Sequence, residues 1–265
     1  MPNVLTTDNT KTLGLVYKPS FAPGWSLALD YFDIKVSNAI TTVQGFNASY
    51  QQACYESGGT SPYCALQERP NGFADTSAAN AIQAWYVTVI NIASIKTAGL
   101  DAELSYMGRL FDRPLSVRGL VSYQPHIKFY QPATPTIDQG GVAFGSTGRT
   151  ASPAWRVTGF LSYQLTDNFR FDVQQTWRSS MKLWATGEWM NNRVKALGTT
   201  SLNLNWKIPD TRLDNAEFFL NVQNLFNANP PVANAPGTTM GGFNGFVATD
   251  DPIGRYFTAG FRVKF

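Results

Sequence analysis

Apolar and polar residues alternate along nine short stretches of this chain. In the last stretch Phe257, Phe261 and Phe265 share one parity, and Arg262 and Lys264 lie on the other. The remaining stretches are residues 12–17 (TLGLVY), 25–31 (WSLALDY), 100–106 (LDAELSY), 115–123, 155–163, 169–178, 199–208 and 216–224. Because successive side chains of a strand point to opposite faces, this pattern predicts nine β-strands, each with one apolar and one polar face.

Two features of these strands indicate that the apolar face meets lipid. No Asp, Glu, Lys or Arg lies on the apolar parity, and an Arg or Lys there would cost about 2–4 kcal/mol at the centre of a bilayer. Aromatic residues stand at the strand ends, where Trp155 and Tyr163 bracket one strand and Phe169 and Trp177 the next. Eight residues tilted by about 45° cover roughly 19 Å of an apolar band about 25 Å tall.

The connections between these strands alternate in length. Residues 18–24, 107–114, 166–168 and 209–215 form short turns, whereas about 37–90, 124–152, 179–198 and 227–253 form long loops. Short turns on one rim and long loops on the other are typical of bacterial outer-membrane barrels, in which the short turns are periplasmic. The expected fold is therefore all-β, an antiparallel transmembrane β-barrel.

Composition supports a membrane wall built from strands. Charged residues make up only 15% of the chain, well below the roughly 25% of soluble domains, and aromatic residues reach 14%. No run of about 18 apolar residues is present, which excludes a helical span. The net charge of +3 comes from scattered residues, so no nucleic-acid partner is expected. The N-terminus lacks the charged and apolar regions of a signal peptide.

Several segments resemble TonB-dependent outer-membrane receptors. The pattern Thr258-x-Gly260-x-x-Val263-x-Phe265 resembles their final strand, which the barrel-assembly machinery reads as a signal. Residues 218–231 (FFLNVQNLFNANPP) resemble the penultimate strand with its Asn-Leu-Phe-Asp/Asn sequence, and residues 25–40 and 90–106 resemble two earlier strands. The resemblance covers most of the chain outside the loops.

This resemblance implies a domain organisation and a function. Receptors of the family close 22 strands around a plug, and no stretch here resembles the plug or the peptide that contacts TonB. Residues 1–265 are therefore expected to be the C-terminal, roughly nine-stranded part of such a barrel in the outer membrane of a Gram-negative bacterium, without plug or signal peptide. The implied function is TonB-driven uptake of a scarce large nutrient: a ferric siderophore, a corrinoid or an oligosaccharide.

The implied partners follow from that function. They are outer-membrane lipid, the barrel-assembly machinery, TonB through the plug region that this chain lacks, and a small-molecule or oligosaccharide ligand. Two other functions remain open at this point. A small outer-membrane barrel acting as an adhesin or structural protein would need an even strand count and closure within the chain. A soluble sugar-binding sandwich would pack the apolar face against a second sheet.

The longest loop contains both cysteines, Cys54 and Cys64. An oxidising cell surface favours a disulfide between them, and closing so short a loop stabilises it by about 2.5–3 kcal/mol. A metal site would need further ligands, and His126 is the single histidine, so no metal is expected. The disulfide is interpreted as a clamp on the loop, with shaping of a ligand surface as the second interpretation.

Loop aromatics are the candidate ligand contacts. Tyr63, Trp85, Trp184 and Trp189 lie in loops, where they could stack on a chelate or a sugar, or pack the loops together. The polar parity carries charges that either pair within a solvated wall or attract an anionic substrate: Asp101, Glu103, Arg118, Arg156, Arg170, Asp172 and Arg178.

No catalytic residues or cofactor are predicted. The glycine-rich segments 145–149 and 237–245 lie in predicted loops with no following helix to hold a phosphate. His126 with a nearby serine offers only a weak indication of an outer-membrane lipase.

Overall fold

The fold was obtained as a computed structural model that describes residues 5–131, 133–144, 151–185, 192–209, 216–233, 245–247 and 249–263. Of residues 90 and 92, only the backbone is described. It contains one α-helix, α1 (Ala48–Glu56), two 3₁₀ helices (Pro62–Leu66 and Ala78–Asn80) and fourteen strands in the described part. The strands are β1 Thr7–Tyr17, β2 Trp25–Gln44, β3 Gln67–Glu68, β4 Ala84–Trp85, β5 Val87–Leu110, β6 Arg113–Tyr130, β7 Ile137–Asp138, β8 Val142–Phe144, β9 Trp155–Gln164, β10 Phe169–Arg178, β11 Lys182–Trp184, β12 Leu197–Lys207, β13 Glu217–Gln223 and β14 Tyr256–Arg262.

Ten of these strands form one sheet. Its order is β1-β2-β5-β6-β9-β10-β12-β13-β14, and β7 pairs with β6 beside this path. The chain therefore runs as an antiparallel meander, because each long strand lies next to the preceding long strand in sequence, for example β9 beside β10 and β10 beside β12. Such pairing needs only hairpin connections. The predicted all-β antiparallel sheet is confirmed, whereas nine strands of a closed barrel of 22 remain a prediction.

Two strands are longer than the alternation predicts. β2 continues to Gln44 and β5 begins at Val87, so the connection between them comprises residues 45–86 instead of about 37–90. Past Tyr31 the apolar parity of β2 carries Asp33 and Lys35. The strand thus continues beyond the apolar band, where backbone pairing persists but the lipid no longer excludes charge.

One turn on the short side is tighter than predicted. β5 and β6 are joined by Phe111 and Asp112 alone, both with positive φ (49° and 59°), instead of the predicted residues 107–114. Positive φ at both central residues is the conformation of a type I′ hairpin turn, whose twist matches that of the flanking strands. The predicted turn at 209–215 lies largely outside the described residues.

The apolar face of the sheet remains uncovered. Leu29 and Tyr31 of β2 are each 41% exposed, and Leu104 of β5 and Phe261 of β14 are 47% and 69% exposed. A soluble sandwich would bury such residues against a second sheet, and none packs on this face among the described residues. An exposed apolar face is what a lipid-facing wall requires.

The buried hydrophobic clusters lie mostly in the long connections. The chain divides into two compact units, of which the first comprises Met1–Thr10, Ile34–Thr97 and Ile127–Asp138. Its cluster consists of Val43, Tyr50, Tyr63 and Leu66. The second unit, the remainder, has a cluster of Ala143, Ala151, Met181, Leu183, Val194, Ala233 and Val247. Apart from Val43, near the end of β2, the residues of both clusters lie in the connections and not on the ten-stranded sheet.

Candidate functional site

Charged residues on the polar face of the sheet pair with one another. The guanidinium of Arg118 on β6 donates to both carboxylate oxygens of Glu103 on β5, from Nε at 2.7 Å and from Nη2 at 2.8 Å. Two parallel hydrogen bonds of this kind fix the geometry of an arginine–carboxylate pair. These two predicted lumen charges therefore satisfy each other.

Asp172 is the centre of a second polar network on the same face. Its carboxylate accepts hydrogen bonds from Ser162 on β9 at 2.5 Å and from Asn203 and Asn205 on β12 at 3.0 and 3.3 Å. The register explains the contacts, because Asp172 is directly opposite both Ser162 and Asn203. Arg170 adds an ion pair at 3.4 Å. The network links three strands through polar side chains.

Arg178, at the end of β10, forms a buried ion pair. Its Nε and Nη2 donate to the carboxylate of Asp250, and its Nη1 donates to the carbonyls of Ser179 and Lys195. The side chains of Arg178 and Asp250 are 9% and 2% exposed. The contact anchors the connection before β14 to the end of β10. Arg178 therefore holds a loop in place, and its charge is not available to an anion.

The cysteine loop has a compact interior. A disulfide joins Cys54, in α1, to Cys64, in the following 3₁₀ helix, with Cα atoms 5.0 Å apart. Asn47 caps the helix, since its side chain accepts a hydrogen bond from the Ser49 N–H at 2.9 Å. Tyr50 stacks on Tyr63 with ring centroids 4.6 Å apart. Burial, together with neighbouring Tyr50, raises the pKa of Tyr63 to about 12, so its phenol stays neutral.

The four candidate aromatics occupy different environments. Tyr63 is only 3% exposed and belongs to the interior of the loop. Trp85, in β4, is 38% exposed. Trp184 packs against Phe144, with ring centroids 5.7 Å apart, beside the cluster of the second unit. Trp189 lies outside the described residues. Of the four, Trp85 presents the most accessible ring in the described chain.

A groove in the cysteine loop was not predicted from sequence. It has a volume of about 810 Å³ and lies in the first unit, between α1 and residues 67–76. A smaller cavity, about 370 Å³, lies beside Arg178 in the second unit. Gln67, Arg69 and Phe73 form one wall of this larger groove and Tyr55 and Glu56 the other. The polar residues 67–76 show no periodicity, so only the folded loop brings them opposite the helix.

Two residues of the predicted assembly signal, Thr258 and Gly260, lie on β14. Thr258 is opposite Asn221 and Gly260 is opposite Phe219 of β13. A Cβ on Gly260 would come within 2.6 Å of the Phe219 ring, so glycine leaves room for that ring against the terminal strand. Val263 follows the strand, and Phe265 lies outside the described residues.

The Asn-Leu-Phe-Asn segment after β13 organises the approach to β14. The Asn224 side chain accepts from the Ala228 N–H at 2.8 Å and donates to the Ala228 carbonyl at 2.9 Å. Asn227 has φ 53°, and its side-chain oxygen accepts from the Arg255 N–H, one residue before β14, at 3.0 Å. Asparagine tolerates positive φ better than most residues. Both asparagines thus have a structural role.

The described residues contain no helix with the length and hydrophobicity of a membrane span. They also bring together no group of three or more His, Cys, Asp or Glu side chains that could hold a metal ion.

Comparison with known proteins identifies the family. The sequence matches the family described as TonB dependent receptor-like, beta-barrel, over residues 6–225. The chain belongs to this family. Its members are outer-membrane proteins of Gram-negative bacteria, which places the sheet in the outer membrane. No curated protein matches the chain in sequence.

Solved structures of TonB-dependent receptors share the fold. The ferric enterobactin receptor PfeA of Pseudomonas aeruginosa, in complex with enterobactin, is 18% identical to this chain, with a TM-score of 0.57. The match covers 97% of this chain and 31% of the PfeA chain. The ferric-catecholate import receptor Fiu of E. coli K12 is 14% identical, with a TM-score of 0.56 and coverages of 98% and 28%. The FrpB iron transporter of Neisseria meningitidis is 15% identical, with a TM-score of 0.55 and coverages of 96% and 30%. The chain thus spans about 30% of the length of these TonB-dependent receptors.

Proposed function

We propose that this chain is the C-terminal portion of the barrel of a TonB-dependent receptor that takes up a scarce large nutrient across the outer membrane. The nutrient is a ferric siderophore, a corrinoid or an oligosaccharide. Long loops capture it outside the cell, and a plug elsewhere in the receptor rearranges when TonB, driven by the proton gradient of the inner membrane, acts on it.

The observation that carries this proposal is the asymmetry of the sheet. The apolar face is exposed, while the polar face holds ordered networks around Glu103 and Asp172. A receptor wall needs both faces, since lipid covers one and a polar interior lies against the other. Family membership over residues 6–225 and the iron and siderophore receptors among the structural relatives support the same function.

The proposed partners follow from the position of each part. Outer-membrane lipid covers the apolar face. The barrel-assembly machinery reads the terminal pattern of Thr258, Gly260, Val263 and Phe265. TonB acts through the plug region of the complete receptor, and a ligand occupies the loops.

Uptake by living cells tests this function. Cells that carry or lack the receptor, each with and without TonB, are supplied with radiolabelled ferric siderophores, corrinoids and oligosaccharides. We expect one class of compound to accumulate only when both the receptor and TonB are present. Accumulation that is equal without TonB, or independent of the receptor for every compound, would contradict the proposal.

A further inference from the structure

A short antiparallel pairing begins where aromatic rings end the apolar face of the sheet. Ser179 lies opposite Trp155, because its N–H donates to the Trp155 carbonyl at 3.0 Å and its Oγ accepts from the Trp155 N–H at 3.2 Å. Trp155 is 42% exposed and packs on Tyr123, with ring centroids 4.2 Å apart. Two residues after Ser179, Met181 pairs with Val194. The segments 180–184 and 192–195 therefore stand at the rim of the lipid-facing wall.

The two faces of this pairing differ in burial and charge. Met181, Leu183 and Val194 point into the buried cluster of the second unit. The residues that alternate with them are exposed and basic: Lys182, Arg193 and Lys195. Because side chains of paired strands alternate between faces, these three cations share one surface, which we name the basic face.

The cations of the basic face lack a counter-charge. Met181 and Val194 exchange backbone hydrogen bonds at 2.9 and 2.8 Å, so Lys182 and Arg193 are directly opposite each other. Side chains in such positions have Cβ atoms about 4.5–5.5 Å apart, and like charges there are destabilising.

Neutral groups are their nearest partners. Arg193 Nη2 donates to Ser180 Oγ at 3.4 Å, and none of the three cations forms an ion pair within the described part of the chain. The single acidic residue of the connection 179–198, Glu188, lies outside the described residues. An anion bound at the basic face would relieve the repulsion between Lys182 and Arg193.

The position of the basic face favours a membrane lipid over a dissolved anion. None of its residues lines the cavity beside Arg178, and small dissolved ligands are usually held in concave sites. Trp155 and Trp177, 42% and 40% exposed, lie at the adjacent end of the apolar face, where an aromatic girdle marks the membrane interface. Lipid A, the membrane anchor of lipopolysaccharide in the outer leaflet, presents phosphates at this interface. A phosphate monoester carries a charge of about −1.5 to −2 at pH 7.

We propose that the basic face binds the phosphates of lipid A. The planar guanidinium of Arg193 can donate two parallel hydrogen bonds to phosphate oxygens, and Lys182, directly opposite, adds a second cation to the same phosphate. Lys195, two residues from Arg193 on the same face, extends the site, while the acyl chains lie along the apolar face below Trp155. The inference rests on the proposed function for the side of the membrane on which the long loops lie.

Lipid binding to the complete receptor, delipidated in detergent, tests this inference. The probes are diphosphorylated lipid A and the same lipid without phosphates, and the measurement is a titration followed by native mass spectrometry. We expect the diphosphorylated lipid to bind at least about tenfold more tightly. Equal affinity of the two lipids would overturn the proposal. Displacement of bound lipid A by an equimolar amount of inorganic phosphate or ferric tris-catecholate would assign the basic face to a dissolved anion and would also overturn it.

Variants locate the site. Lys182→Gln combined with Lys195→Gln should weaken binding of diphosphorylated lipid A about tenfold and leave the dephosphorylated lipid unchanged, and Arg193→Gln should do the same. The matched control combines Lys18→Gln with Lys207→Gln, which removes two exposed lysines at the short-turn end of the strands. Equal losses in the two double variants would show attraction by overall charge and would contradict the assignment.

Lipid A binding to purified receptor needs neither TonB nor cargo, so the inference and the proposed function fail separately. TonB-dependent uptake by a receptor that does not distinguish the two lipids would overturn the lipid A assignment alone. Phosphate-dependent lipid A binding with uptake independent of TonB would overturn the transport proposal alone.

Discussion

Individual side chains in this protein have roles that their positions in sequence only partly reveal. Alternation places Arg178 on the polar parity of its strand, but its partner Asp250 is 72 residues further along the chain. The pairing is decided by how the loop folds over the end of β10. Likewise, Tyr63 is a loop residue in sequence, and the disulfide and Tyr50 place it in the interior of that loop.

Replacing Asp250 by Asn should destabilise the receptor by about 3 kcal/mol, because it leaves the buried Arg178 guanidinium without a counter-charge. The measurement is the free energy of unfolding of the receptor in lipid vesicles. Asp251→Asn is the control, since Asp251 is exposed and adjacent. Equal stability of the two variants would show that the buried pair contributes nothing.

Removing the disulfide should loosen the cysteine loop and leave the sheet intact. Replacing Cys54 and Cys64 together by Ala removes a cross-link worth about 2.5–3 kcal/mol to a loop of this length. We expect faster proteolytic cleavage within residues 45–86 of the folded receptor, with unchanged unfolding of the strands. Cleavage at the wild-type rate would contradict the interpretation of the disulfide as a loop clamp.

Among the secondary-structure elements, the alternation of apolar and polar residues predicts where the long strands lie but is a poor guide to where some of them end. β9 and β10 agree with the alternation to within a residue, because lipid imposes one apolar residue in two. β2 and β5 extend further, because this requirement ends outside the apolar band. The helix α1 and short strands such as β3 and β8 were not predicted. They depend on tertiary pairing and burial inside loops, which no local period reports.

A charge introduced on the apolar face should be costly, and the same charge on the polar face should not. Val173 lies mid-strand opposite Leu161 and Leu202, and Gln174 is its neighbour on the other parity. We expect Val173→Arg to reduce the free energy of unfolding in vesicles by about 2–4 kcal/mol. Gln174→Arg, the matched control, should change it by less than about 1 kcal/mol. The opposite order would show that the faces are assigned the wrong way round.

The link from Asn227 to Arg255 should determine how firmly β14 is held. Asn227→Gly keeps the positive φ accessible but loses the acceptor for the Arg255 N–H, whereas Asn227→Asp keeps both features. We expect faster amide hydrogen exchange at the start of β14 in Asn227→Gly and near wild-type exchange in Asn227→Asp. Asn229→Ala, at an exposed position nearby, is the control. Unchanged exchange in Asn227→Gly would exclude this role.

For the whole molecule, the described sheet has β1 and β14 at its two ends, each with one neighbour on the strand path. Exposed edge strands are open to pairing with further strands, and barrels remove them by closure. This arrangement, the family match and the coverage of about 30% of each structural relative together support the proposal that the chain is a segment of a larger barrel wall. The composition predicts the same class from sequence, since so few charges cannot cover a large soluble surface.

The central claim is that alternate residues of the sheet face lipid. Its most direct test is a scan of single spin labels along residues 155–163 of β9 in the receptor reconstituted in vesicles, with electron paramagnetic resonance accessibility to oxygen and to a water-soluble nickel complex. Labels at Val157, Gly159 and Leu161 should favour oxygen, and labels at Thr158, Phe160 and Ser162 should not, with a period of two. Equal accessibility on both parities, or apolar positions closed to both reagents, would contradict a lipid-facing wall.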